Sequence, residues 1–235
     1  MEPLKITFSL VSDMVFPTMP LHLDALLAYA VTQDNLITLG EDATQKDLLA
    51  LGDNLPIERH EQDGKWVYKA SALMPDSQMT HSRQFFTQRI DVGEMVRLAA
   101  KGKVLIGSYK GQPLERLSHS KKLDLTRGTQ RNLLGYFSTT SLKKMVAYCV
   151  ADKEFLEEYL VESGWITHLG SRRRQGLGLL SNIEIEPDKD ALELWKNRIK
   201  PFALHELDTP IYANCSPPYW DKTKRQDAFI PSTLA

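Results

Sequence analysis

Two kinds of residue in this sequence bear on chemistry: arginines gathered on a glycine-rich stretch, and histidines, a residue type able to move a proton. His22 opens an apolar helical pattern that carries Tyr29 two turns further on. His168 stands just before Leu169-Gly170-Ser171-Arg172-Arg173-Arg174-Gln175-Gly176-Leu177-Gly178. A side chain that titrates near neutrality can give or take a proton without a metal, but six histidines in 235 residues is unremarkable, and spacing alone does not single out His22 or His168 as general acid or base. His22 equally suits a purely structural place at a helix start. Glycines supply positive φ and bring backbone N–H groups close to an anion, while guanidinium forks pair with phosphate oxygens. Arg172, Arg173, Arg174, Gly176 and Gly178 are therefore candidates for holding a phosphate chain. The competing reading is a turn with solvated arginines.

Several other site types are excluded. Gly176-Leu177-Gly178-Leu179-Leu180-Ser181 lacks the third glycine of a dinucleotide fingerprint. It also follows a helical pattern and precedes a strand, the reverse of the order that fingerprint needs. No Gly-Lys-Ser/Thr ends a phosphate loop, and no Gly-x-Ser-x-Gly nucleophile elbow occurs. The histidines are isolated, and Cys149 and Cys215 cannot alone build a structural zinc site or a disulfide framework. No cofactor and no metal are expected.

The 235 residues carry a formal net charge of −1, which excludes a uniformly basic protein. That balance hides a segregation. Residues 34–63 hold eight acids against Lys46 and Arg59, a net −6, whereas residues 101–131 hold eight bases against Glu115 and Asp124, a net +6. Such sorting points to one face for a polyanion and another kept clear of it. The longest apolar runs, Ala25–Val31 and Met145–Ala151, are seven residues each, far short of the ~18 that span a bilayer. With a start that lacks signal-peptide character, a cytosolic, cytoplasmic chain with no membrane partner is expected.

The elements that must position these residues follow from periodicity. Lys5–Val11 alternates as a half-buried strand, and Leu23, Leu26, Leu27, Ala30 and Val31 form one helix face, with Asp24 in the first turn. Residues 36–64 read as an acidic peripheral excursion, and Lys65–Ala70 as a strand. Pro75–Gly135 reads as a long irregular insertion with a helix near Val92–Lys101. Met145–Val150 reads as a buried strand, Asp152 as the N-cap of a helix with Phe155, Leu156, Tyr159 and Leu160 on one stripe, and Gly164 as its end. Ser181–Glu186 is a last strand, after which residues 188–235, with Trp195, Tyr219 and Trp220, read as a small appended region. Without insertions the order is β-α-β-β-α-β, a ferredoxin-like split βαβ, which also serves as the RRM scaffold.

The opening segment Pro20-Leu21-His22-Leu23-Asp24-Ala25-Leu26-Leu27-Ala28-Tyr29-Ala30 and the closing helix, Gly176-x-Gly178 loop and strand resemble the RAMP superfamily of CRISPR-associated proteins over most of residues 1–187. More narrowly, the chain is similar to the third, Cas-five-like subunit of type IV CRISPR effector complexes, with Pro217-Pro218-Tyr219-Trp220 a weaker echo. The resemblance implies an α+β fold: a ferredoxin-like, RRM-like RAMP core over residues 1–187, a long basic thumb insertion at about 75–135, and a C-terminal extension, 188–235, packed on the core. It implies a non-catalytic subunit of a ribonucleoprotein in antiviral defence. That subunit binds the five-prime handle of the CRISPR RNA and caps the filament of backbone RAMP subunits beside a large subunit, with target DNA an open further contact.

In the thumb, Arg83, Arg89, Lys121, Lys122, Arg127 and Arg131 can neutralise phosphates, and Phe85, Phe86, Tyr136 and Phe137 offer faces for unstacked bases. Core positions are the competing expectation for Phe85 and Phe137, with Tyr136 evenly balanced. Related RAMP proteins cut CRISPR RNA with a histidine and no metal, so a metal-independent endoribonuclease using His22 or His168 is the alternative.

Overall fold

Alternation of Leu4, Ile6, Phe8 and Leu10 with polar neighbours turns one face of strand β1 (Glu2–Leu10) fully inward. In the computed structural model, which describes residues 1–39, 54–88, 93 and 133–234, that strand lies inside a four-stranded sheet. The protein is mixed α/β, with mostly antiparallel strands and few helices among the described residues. β1 pairs antiparallel with β7 (Lys144–Ala151) on one side, Ile6 opposite Ala147, and with β8 (Leu180–Pro187) on the other, Ile6 opposite Ile185. The two-residue strand β4 (Met74–Pro75) adds an edge beyond β7, giving the order β4-β7-β1-β8.

Helix α1 (Leu23–Leu39) covers the apolar face with Leu23, Leu27 and Ala30. Each buried leucine contributes about 1.5–3 kcal/mol from the apolar area it removes from water. The second helical stretch starts as expected. The Asp152 side chain accepts from the N–H groups of Glu154 and Phe155 at 3.0 and 3.3 Å, capping α2 (Lys153–Leu156). The chain continues through a wider, π-wound turn, Glu157–Glu162, which keeps Leu160 inward, and Gly164 turns away at φ +68°.

The opposite sheet face is not an aromatic platform of the RRM kind. β1 brings Lys5 and Thr7 there, opposite Glu186 and Glu184 of β8. Tyr148 of β7 lies among Lys5, Asp76, Asp188 and Asp190; burial first, and then those acids against Lys5, push its hydroxyl up.

One expectation is corrected. Residues 55–62, read as part of a peripheral excursion, belong to the folded body: Leu55 and Ile57 are buried, and β2 (Arg59–Gln62) pairs with β3 (Lys65–Tyr68). The turn is Asp63-Gly64, with φ +54° and +72°, the two left-handed positions that a tight hairpin requires. Residues 40–53 of the acidic stretch lie outside the described residues.

The chain divides into two compact units, Met1–Ser82 with Thr139–Ala235, and Arg83–Ser138. Gly93 apart, the described part of the second is residues 83–88 and 133–138 of a two-stranded ribbon, β5 (Thr80–Gln88) with β6 (Leu133–Ser141), so stretches read as irregular insertion are regular strand. The helix expected near Val92–Lys101 lies outside the described residues, apart from Gly93.

The C-terminal segment belongs to the first unit. It contains α3 (Ala191–Leu194) and an antiparallel pair, β9 (Thr209–Ala213) with β10 (Gln226–Ile230). Its anchor is Arg198, whose buried guanidinium donates to the carbonyls of Tyr68, Ala70 and Cys215 at 2.7–2.8 Å, and to Asp24. A second buried pair, Lys200 with Asp208 at 3.2 Å, holds the segment's own loop. No helix among the described residues is long and apolar enough to cross a membrane.

Candidate nucleic-acid interface

The glycine–arginine loop is built as a pinned hairpin. Leu169 N–H donates to the Gly178 carbonyl at 2.8 Å, and Leu180 N–H to the Thr167 carbonyl at 3.0 Å. The loop is also tied to the segment after β1: Ser171 N–H to Val15 O at 3.0 Å, and Gly178 N–H to Asp13 O at 2.7 Å. Two glycines permit this closeness. A Cβ on Gly178, at φ +74°, would come 1.9 Å from the Leu169 carbonyl oxygen, and one on Gly170, at φ +77°, 2.5 Å from that of Val15. Between these pins the backbone turns left-handed at Arg172 (φ +63°), makes one 3-10 turn over Arg173–Gln175, and turns left-handed again at Gly176 (φ +78°).

The three arginines stand exposed on this fixed turn. Arg172 Nη1 reaches Gln175 Oε1 at 3.5 Å. Arg173 Nη1 donates to the Tyr29 hydroxyl at 3.2 Å, its guanidinium 6.0 Å from that ring. The surface therefore holds three cations and the phenol of α1, and guanidinium forks are groups that can pair with phosphate oxygens. Tyr29, noted in the sequence two turns after His22, meets Arg173 in the structure.

The histidines part company. His168, half-buried, sits in the stem of the loop, bridged to Leu179, with Nδ1 2.9 Å from the Thr167 hydroxyl. His22 is only 1% exposed, stacked on Tyr219 with ring centroids 4.7 Å apart and planes 6° from parallel. Neither of its ring nitrogens has a hydrogen-bond partner, and burial first, then the Arg198 charge, push its pKa well below the ordinary value. Of the two readings the sequence left open for His22, this placement under Tyr219 of the C-terminal segment favours the structural one. Among the described residues no three His, Cys, Asp or Glu side chains gather as metal ligands would.

In the second unit, Arg83 and Tyr136 come together, the guanidinium 5.4 Å from the ring centroid. Phe85, for which a core position competed, is 71% exposed, beside Tyr136 at 6.2 Å between centroids. Phe137 is half-buried against Phe86, 5.9 Å away. Arg89, Lys121, Lys122, Arg127 and Arg131 lie outside the described residues.

Sequence reasoning missed the buried Asp24–Arg198–Tyr219 cluster. Asp24 was read as a first-turn acid facing the helix dipole, which explains its place but not its partner. Only Tyr219, in Pro217-Pro218-Tyr219-Trp220, had been singled out.

No curated protein matches this chain. A family model described as CRISPR type IV associated protein Csf3 matches residues 2–231. With nearly its whole length matched, the chain belongs to the Csf3 family of type IV CRISPR-associated proteins.

Proposed function

We propose that this protein is the non-catalytic subunit of a type IV effector complex that binds the five-prime handle of the CRISPR RNA and caps the filament of backbone subunits. The observation that carries this reading is the exposed Arg172–Arg174 triplet, held on a turn that Gly170 and Gly178 pin to the fold. Preorganised guanidinium groups bind phosphates without the entropy cost of ordering a loose loop. A ferredoxin-like RAMP core is supported by the sheet: setting the β2–β3 hairpin and the ribbon aside, β1, β4, β7 and β8 follow the split βαβ order, with all neighbours antiparallel. The acids around Tyr148 favour the loop over the outer sheet face as the polyanion site.

The test is a titration of end-labelled CRISPR repeat RNA, with and without its five-prime handle, in EDTA at low and moderate salt. Retention of intact RNA that depends on the handle is the expected result. Absence of any handle preference overturns the reading. Discrete shortened products would make the chain a metal-independent ribonuclease, and the group to test would be His168, whose ring lies in the stem of the arginine loop.

A further inference from the structure

The β5–β6 ribbon has two unlike faces. Ser82 meets Thr139 at 2.6 Å between hydroxyl oxygens, His81 meets Thr140 at 3.0 Å, and the Phe85 ring meets Tyr136. Partner numbers fall as β5 advances, so the strands run antiparallel, and side chains two apart share a face. One face carries Arg83, Phe85, Leu134 and Tyr136, all exposed, Phe85 at 71% and Tyr136 at 61%. The other carries Phe86 and Phe137, half-buried against each other. Gly135 lies under Phe86: a Cβ there would fall 2.7 Å from two ring carbons, a distance real side chains do not tolerate. The missing side chain lets the Phe86 ring close on the backbone, a cross-strand aromatic cover of a strand glycine.

Large aromatics left open on a narrow ribbon call for an occupant. Charge selects it. Neither Thr80–Gln88 nor Leu133–Ser141 contains an acid. The unit Arg83–Ser138 as a whole has eleven Lys and Arg against four Asp and Glu, a net +7. Aromatic faces flanked by cations suit a polyanion with exposed rings, and unpaired nucleobases are that ligand.

We infer that the outward face of the ribbon, Phe85 and Tyr136 with Arg83, is a stacking platform for unpaired bases of single-stranded RNA, and that Gly135 is the positioning residue that keeps it in shape. The inference rests on the reading that this chain binds RNA. It adds to a loop that recognises phosphates a separate site that recognises bases as rings, independent of their sequence. Arg83 stiffens the platform by packing its cation on the Tyr136 ring, which stays 61% exposed.

The experiment uses the full chain and two handle RNAs of equal length, one with all its bases and one with an abasic tract, with 2-aminopurine as a stacking reporter. Phe85→Ala with Tyr136→Ala is expected to weaken binding of the complete RNA about tenfold or more, to abolish quenching of the reporter, and to leave the abasic RNA unaffected. Phe85→Trp should retain binding and Phe85→Leu should not, because leucine keeps the apolar surface without the ring. Gly135→Ala should reproduce the loss of quenching while touching neither exposed ring. Equal wild-type affinity for both RNAs overturns the platform, and so does full function of Phe85→Leu, which would make this an apolar surface for a protein. If base dependence persists without preference for the handle, the platform stands and the handle reading falls. If handle preference survives the double substitution undiminished, the platform falls and the handle reading stands.

Discussion

Asp24 and Arg198 meet at 3.0 Å with neither side chain exposed, although 174 residues separate them. The Tyr219 hydroxyl completes the cluster, accepting from Arg198 at 2.8 Å and donating to Asp24 at 3.0 Å. Burial pulls the guanidinium pKa down, but Asp24, with Tyr219 and Cys215, together offset this and leave it above its ordinary value. Removing one partner strands the other as an uncompensated buried charge, which costs about 3–5 kcal/mol. Arg198→Ala is therefore expected to lower unfolding free energy by that amount in urea titration. Arg198→Lys should recover little, since three ammonium donors cannot reach partners arranged around a planar fork.

His22 makes the fold sensitive to acid. Its ring faces Tyr219, with Arg198 and Asp24 in the same cluster, and its folded pKa lies well below the reference value of 6.5. Below that value the unfolded imidazole binds a proton that the folded one resists, so stability falls as pH falls, by up to about 1.4 kcal/mol per pH unit. Denaturant titrations at about pH 7.5 and 5.5 should show this loss, and His22→Phe, which keeps a ring on Tyr219, should shrink it. An unchanged pH dependence in the variant would mean that His22 does not titrate on unfolding.

The loop glycines should rank by space as well as by dihedral. Gly176 and Gly178 share a positive φ, yet a Cβ on Gly176 meets nothing within 4 Å, while one on Gly178 collides with a backbone carbonyl. Gly176→Ala should cost about 1–2 kcal/mol, the strain of a left-handed alanine. Gly178→Ala should cost distinctly more and disturb the arginine turn, since the colliding atom cannot move without breaking the hairpin. Thermal unfolding of both variants checks the order.

Changing Arg172, Arg173 and Arg174 to Ala should leave thermal stability nearly unchanged, because all three are exposed. Binding to RNA should weaken on every sequence alike. The slope of log affinity against log salt should flatten by about 2, from ~0.7 per lost phosphate contact on a single strand. A loss confined to one sequence would assign the triplet to base recognition instead.

What was legible in the sequence was what short-range pattern controls. Alternation in β1, the apolar run of β7, the 3.6-residue stripe of α1 and the Asp152 cap all follow from neighbours a few residues apart. The Asp63-Gly64 hairpin was legible too, but the acidic composition around it outweighed the turn signal. Arg198 was not legible: nothing local distinguishes a cation bound for the interior from a solvated one, since its partners lie at positions 24, 68, 70, 215 and 219. The exposure of Phe85 was hidden for the opposite reason. An aromatic in a strand pattern reads as core, and only the ribbon shows that Gly135 draws Phe86 in and leaves Phe85 out.

The place of β1 in the middle of the sheet has a consequence for synthesis. Its sheet partners among the described residues, β7 and β8, begin at Lys144 and Leu180. A ribosome adding about 5–20 residues per second needs on the order of 10 s to go from the end of β1 to the start of β7. For that interval Leu4, Ile6 and Phe8 have no sheet to join, and the Asp24 carboxylate waits longer still for Arg198. Substitutions that weaken β7 or β8 are thus expected to reduce the yield of nascent protein reaching its native form more than they reduce the stability of the finished molecule.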